Sequence, residues 1–229
     1  MKKLTILILL TVITAPLFAG NGQFEKPDYK KIGEAIKDKQ SKFYYPGLFA
    51  RYEKADTTLT SEELRYVYYG YFFSKSYSVF GQSDYHDSLA AVIKKDSLGP
   101  EDHRKVLQYE QKILAGDPFS LRDLNMMAQA CIMMADTLSA NQNAIKIQMV
   151  VVAILSSGDG KSEETAWHVV SVGNEYDLLK YLGFKFGGGQ TLTKGGCDYL
   201  QVAQNEYGID GFYFDVNMLL LKEQEAMKK

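Results

Sequence analysis

Between Met149 and Leu179 the chain reads MVVVAILSSGDGKSEETAWHVVSVGNEYDLL, and its hydrophobic period changes there. Before Ser156 apolar residues recur at helical spacing, and beyond Thr165 they alternate as a half-buried strand does. Helices on one side of such a joint and short strands on the other give an α+β fold, because a small sheet must cover its apolar face with something. The joint predicts one domain over 20–229, with a helical part over about 27–156 and a sheet part over about 164–217. The sheet is expected to be small and antiparallel, of about three strands.

The first twenty residues carry Lys2 and Lys3, the apolar run Leu4 to Leu10, and small residues at Ala19 and Gly20. That order is a signal peptide over 1–19, and it predicts a periplasmic or secreted protein with no transmembrane segment after cleavage. Hydrophobic residues at 46% and charged ones at 24% suit an ordinary globular core. A formal net charge of −2 favours neither nucleic acid nor an anionic membrane as partner.

The helical part announces itself through caps and stripes. Pro27 and Asp28 open a helix with Tyr29, Ile32 and Ile36 on one face. Pro46 falls in the first turn of a second helix, with Leu48, Phe49 and Tyr52 for burial. Thr60 followed by Glu63 is a capping box, and it leads into LRYVYYGYFF, the aromatic centre of the protein. Aromatic residues at helical spacing point to core rather than to a stacking platform for sugars. Ser83 or Asp84 caps a further helix, Gly99 and Pro100 start the next, and Asp117 with Pro118 reads as a cap and first-turn pair. The segments Pro118 to Asp136 and Asn141 to Leu155 then form a helical hairpin like those of tetratricopeptide arrays, one unit deep. Ile145, Ile147 and Met149 alternate like a strand, but the length of the segment favours helix.

In the sheet part, Thr165 to Val172 reads as a strand and Glu175 to Leu182 as a short helix ended by Gly183. Gly187 to Gly196 reads as a flexible loop. Asp198 to Gln204 and Phe212 to Val216 flank Asn205 to Gly211 as a hairpin, and Met218 to Lys229 is a charged helical tail.

Reactive side chains concentrate at the joint. A hydrolytic site there takes Ser157 as nucleophile, His168 as base and Glu175 or Asp177 as its orienting acid, and nucleophilic catalysis needs these in mutual hydrogen-bond reach. A ligand site takes Asp159, Lys161, Trp167 and Tyr176. Against a nucleotide site, GDGKS at Gly158 to Ser162 lacks the earlier glycine of a phosphate loop, since Leu155 stands in its place. With His86, His103 and His168 scattered and no paired-cysteine spacing, neither metal nor cofactor is expected. Cys131, in an apolar helical pattern, and Cys197, after a double glycine, leave open a disulfide or two separate thiols.

The segments PDYKKI, KFYYPGLFARYEKADTTLT, LRYVYYGYFF, AILSSGDGKSEETAWHVVSVGNEYDLL and DYLQVAQNEYGIDGFYFDV together resemble an exported bacterial family, domain of unknown function 4919, found mainly in Bacteroidetes. The likeness covers nearly the whole chain beyond the leader. It implies a single exported unit and carries over no catalytic residue. The functional expectation is a non-enzymatic module that binds a protein, peptide or glycan between its helices and its sheet, the alternative being a hydrolase around Ser157, His168 and Glu175.

Overall fold

The computed structural model describes residues 24–79 and 84–228. The leader over 1–19 and the candidate cap Ser83 lie outside these residues. The chain is α+β: helices α1 (Tyr29–Ala35), α2 (Tyr45–Glu53), α3 (Ser61–Gly70), α4 (Tyr85–Ile93), α5 (Pro100–Gly116), α6 (Leu121–Met133) and α7 (Thr137–Leu155) precede a region of strands. There β1 (Trp167–His168), β2 (Phe186–Leu192), β3 (Cys197–Val202) and β4 (Gly211–Asp215) are interrupted by α8 (Val172–Tyr181) and followed by α9 (Asn217–Met227).

Local chemistry sets the helix starts. Asp28 accepts from the amide of Lys31 at the head of α1, and Thr60 and Glu63 make the reciprocal capping box of α3. Pro46 sits in the first turn of α2 and Pro100 in that of α5. The cap of α6 is Ser120, which accepts from the amide of Asp123, rather than Asp117. Residues 117–119 are a turn that delivers Phe119 to the core, so the helix begins three residues later than the Asp-Pro pair suggests.

At the centre lies α3, where every residue from Leu64 to Gly70 is buried. It touches α1, α2 and α7, and α7 in turn packs on α6 and β1. The segment from Asn141 to Leu155 is thus helical throughout, a core helix whose Val150, Ala153 and Ile154 are at most 1% exposed. Three residues separate α6 from α7, and the two form the most extensive helix pair. Phe119, fully buried, is ringed by Tyr52, Tyr68 and Tyr71 with centroids 4.9, 5.4 and 5.3 Å away. A second, smaller apolar cluster of Leu89, Val92, Val106, Ile113 and Ala130 ties α4 and α5 to α6.

The sheet has strand order β1-β4-β3-β2. Pairs β2–β3 and β3–β4 are antiparallel, as expected for the Asp198 and Phe212 hairpin, whereas β1 runs parallel to β4 with Trp167 opposite Phe214. Two expectations are corrected. The strand read over 165–172 is only Trp167–His168, because Ser171 already stands at the head of α8. The glycine-rich segment after Phe186 is not a loop: β2 pairs along β3, with an irregular register between Phe186 and Gln190 and a φ of +96° at Gly188. Backbone hydrogen bonds to β3 hold glycines that have no side chains to pack. Leu200, Val202, Phe212 and Phe214 turn to the core, and Trp167 stacks on Phe212 at 4.9 Å. Cys131 and Cys197 are separate buried thiols.

The joint itself is tightly specified. Arg65, buried on α3, donates to the Ser156 hydroxyl at 2.9 Å, and Trp167 Nε1 donates to the Gly158 carbonyl at 2.9 Å. Gly160 adopts φ +69°, and a Cβ there would lie 2.8 Å from the Trp167 ring. Left-handed strain and contact with a buried indole add, so Gly160→Ala is expected to lower unfolding free energy by about 2–4 kcal/mol. Gly47 in α2 has open space around it, and Gly47→Ala should leave stability unchanged or raise it by about 0.5–1 kcal/mol. Urea denaturation of both variants checks the contrast.

Candidate functional site

The polar residues of the joint are committed to holding it. The Ser157 hydroxyl donates to the Ile154 carbonyl at 2.6 Å and accepts from the backbone amide of His168 at 2.9 Å. Its link to His168 therefore runs through the main chain, not the imidazole. The ring of His168 instead has Nδ1 at 3.2 Å from the Tyr29 hydroxyl and 3.7 Å from Asp215, while Nε2 is buried without a hydrogen bond. Burial pulls this imidazole down to about 4, against the opposing pull of Asp215, so it is neutral at pH 7.

Glu175 sits apart from both, against Asp198 of β3. It is fully buried, neither carboxyl oxygen has a hydrogen-bond partner, and burial followed by the charge of Asp198 pushes it up to about 9. Asp159 accepts from the Thr165 hydroxyl at 2.6 Å and from the Lys161 amide at 3.1 Å, closing the turn. The Lys161 side chain extends into solvent, Trp167 is core, and the Tyr176 hydroxyl donates to Gln190. These candidates are distributed through a joint and a sheet face rather than gathered around one opening.

A cleft lies elsewhere, where the end of α3, the α5–α6 turn, the β1–α8 connection and α9 meet. It is a solvent-open cleft of about 670 Å³ walled by Tyr71, Tyr77, Asp117, Asp123, Arg122 and residues Val170 to Gly173. Local folding explains its acids. Asp117 ends α5, where the turn to α6 aims it inward. Its Oδ1 is closed off from solvent and unpartnered, and burial, then the nearby charge of Asp123, pushes it up to about 6. Asp123, in the first turn of α6, is 5% exposed and accepts from the Ser120 hydroxyl at 2.5 Å; burial raises it as well. Behind it, Glu110 is fully buried with both oxygens unpartnered and is pushed up to about 8 by burial and by Asp123.

Arg122 supplies the positive side of the cleft. Its Nε lies 3.2 Å from Asp177 of α8, and the same carboxylate accepts from its backbone amide at 3.2 Å. Perturbed acids in a concave, polar cavity are the physical marks of a binding or catalytic site. In the sequence Asp117 reads as a helix cap, and Asp123 and Arg122 do not stand out. One signal was available: Glu110 stands four residues after Val106 and three before Ile113, an acid on an inward helical stripe.

A family model described as Domain of unknown function (DUF4919) matches residues 30–225, most of the chain. No curated protein and no solved structure matches it.

The buried acids make stability depend on pH. Glu175 has a folded pKa above its unfolded value of 4.5, so its folded state holds a proton that the unfolded state loses. Its contribution is fully present below about pH 4.5 and falls as pH rises towards 9. His168 acts oppositely, with a contribution present above its unfolded 6.5 and lost as pH falls through about 4. Glu175→Gln should therefore raise unfolding free energy by roughly 2–4 kcal/mol at pH 8, with little gain at pH 4.5. Parallel denaturation curves at the two pH values measure the difference.

Proposed function

The chain belongs to the DUF4919 family, and we propose that it is a non-enzymatic, exported module that binds a small polar ligand in the Asp117 cleft. The observation that carries this is the half-buried Asp117 carboxyl in the wall of an open cleft, one oxygen of which is closed off from solvent and has no hydrogen-bond partner among the described residues. A buried acceptor without a donor costs about 1–3 kcal/mol, a cost that a ligand N–H or O–H would recover. The edges of Tyr71 and Tyr77, whose rings meet at 5.1 Å, give the same cleft an apolar wall. Together these features suit the end of a peptide or a glycan. Binding is favoured over hydrolysis because the Ser157 hydroxyl spends its proton on Ile154 and a lone pair on the His168 amide. Export is supported by the basic-then-apolar order of residues 1–20.

Thermal-shift and calorimetric screening of the purified protein against amino acids, short peptides and oligosaccharides tests this reading. A ligand of the cleft should bind at least tenfold more weakly to Asp117→Asn, and Ser171→Trp, which fills the cleft from the β1–α8 connection, should bind more weakly still. Circular dichroism guards against loss of fold in either variant. If the ligand carries an amine, affinity should be greater at pH 7.5 than at pH 5, because Asp117 ionises through about 6. Binding indifferent to both substitutions would place the ligand elsewhere, and a protein that binds nothing in the screen would end the proposal.

A further inference from the structure

We infer, resting on the cleft reading above, that the ligand is a small zwitterion: an amino acid or short peptide with both ends free, its ammonium at Asp117 and Asp123 and its carboxylate at Arg122 and the first turn of α8. Two sets of polar groups of opposite sign line one cavity.

The positive set is at the head of α8. Ser171 is extended, with φ −151° and ψ 150°, and no side chain caps the helix. The amides of Val172 and Gly173 in its first turn have no intrahelical acceptor, and they carry the positive end of the helix dipole into the cleft. The guanidinium of Arg122 lies over the same end, since a Cβ built on Gly173 would meet Nη2 at 3.5 Å. Asp177 occupies Nε, and the two outer nitrogens make no hydrogen bond among the described residues. A guanidinium facing a helix amino end is unfavourable on its own, and an anion between them turns repulsion into a two-sided grip.

The negative set faces the same space. Asp117 lines it with a carboxyl that the Phe119 amide approaches and whose Oδ1 has no partner among the described residues, and Asp123 has one oxygen held by Ser120. The carboxylate within ion-pair distance of Arg122 is that of Asp177; the charge of Arg122 and, at Asp123, that of His86 in the same wall act on the two acids, but burial outweighs them and keeps both raised. Neighbouring acids in low dielectric call for a cation, as the Arg122 corner calls for an anion. A cleft of about 670 Å³ has room for a ligand that bridges both. A neutral sugar would meet the acids and leave the Arg122 corner unmet. A lone anion or amine would meet one corner each.

The test is isothermal titration of the full-length protein, freed of any leader, with amino acids, dipeptides and tripeptides, each also as its N-acetyl and C-amide form, and with a neutral oligosaccharide. Binding of at least one doubly free form, weakened tenfold or more by either block, is the expected result. Asp117→Asn should then erase the penalty for acetylation, and Arg122→Gln the penalty for amidation. Which chain length binds best reports the separation of the two corners. Blocked and free forms binding alike, or the oligosaccharide binding where no peptide does, would overturn the zwitterion and leave the cleft as a binding site. No binding by any of these probes or by the wider screen would overturn both.

Discussion

Tyrosine hydroxyls hold the two parts of this protein in register. An aromatic ring brought into a core carries a polar atom with it, and a buried hydroxyl without a partner is costly. Four central tyrosines resolve this by reaching another element. Tyr68 donates to Asn174 at 2.7 Å and accepts from the amide of Val170, which fixes α3 against the start of α8. Tyr69 donates to the Ala153 carbonyl of α7 at 3.0 Å. Tyr52 reaches Pro118 at 2.7 Å, and Tyr71 reaches Gly116, so the α5–α6 turn is pinned from below. Asn174 completes the web by donating to Phe119 at 2.9 Å. The position of the cleft follows, for its walls are the α5–α6 turn and the β1–α8 connection that these hydroxyls clamp.

How far the sequence discloses this depends on the range of the interaction. Capping at Asp28 and Thr60, the proline-led starts of α2 and α5, and the aromatic burial of α3 are written within a few residues of one another, and the fold has them where they are expected. The joint at Ser156 is equally local, since it is a change of period. The strand at Phe186–Leu192 is hidden because glycine has no β propensity, and backbone pairing with β3 alone makes it a strand. Phe119 gives no sign of its central place, standing beside a proline and outside any stripe. Asp117 is ambiguous by nature: an acid before a proline reads as a cap, and only the tertiary turn shows that Ser120 takes that role and sends Asp117 inward.

The reactive residues of the joint illustrate the same lesson in reverse. Ser157, His168 and Asp159 are chemically capable types in a dense polar run, which draws attention in a sequence. In the fold their hydroxyl, amide and carboxylate groups satisfy one another and the ends of α7, as a glycine turn beside a buried tryptophan requires. Besides His168 Nε2 and the Glu175 carboxyl, unpartnered polar atoms lie where the chain crosses from α5 to α6, on Asp117 and Glu110, with Asp123 between them in the same low dielectric. Their raised proton affinities mean that the cleft carries less negative charge at mildly acidic pH than its composition implies.

The register irregularity and left-handed backbone at Gly188 have a bearing on how the protein behaves in company. β2 is the longer of the two outer strands of the sheet, and a long, straight outer strand offers its free amides and carbonyls to any extended chain. Here the outward backbone groups on either side of Gly188 do not lie in one line. A foreign strand could match only a few successive rungs before the spacing failed, so the sheet ends where it does without a lysine or proline to stop it.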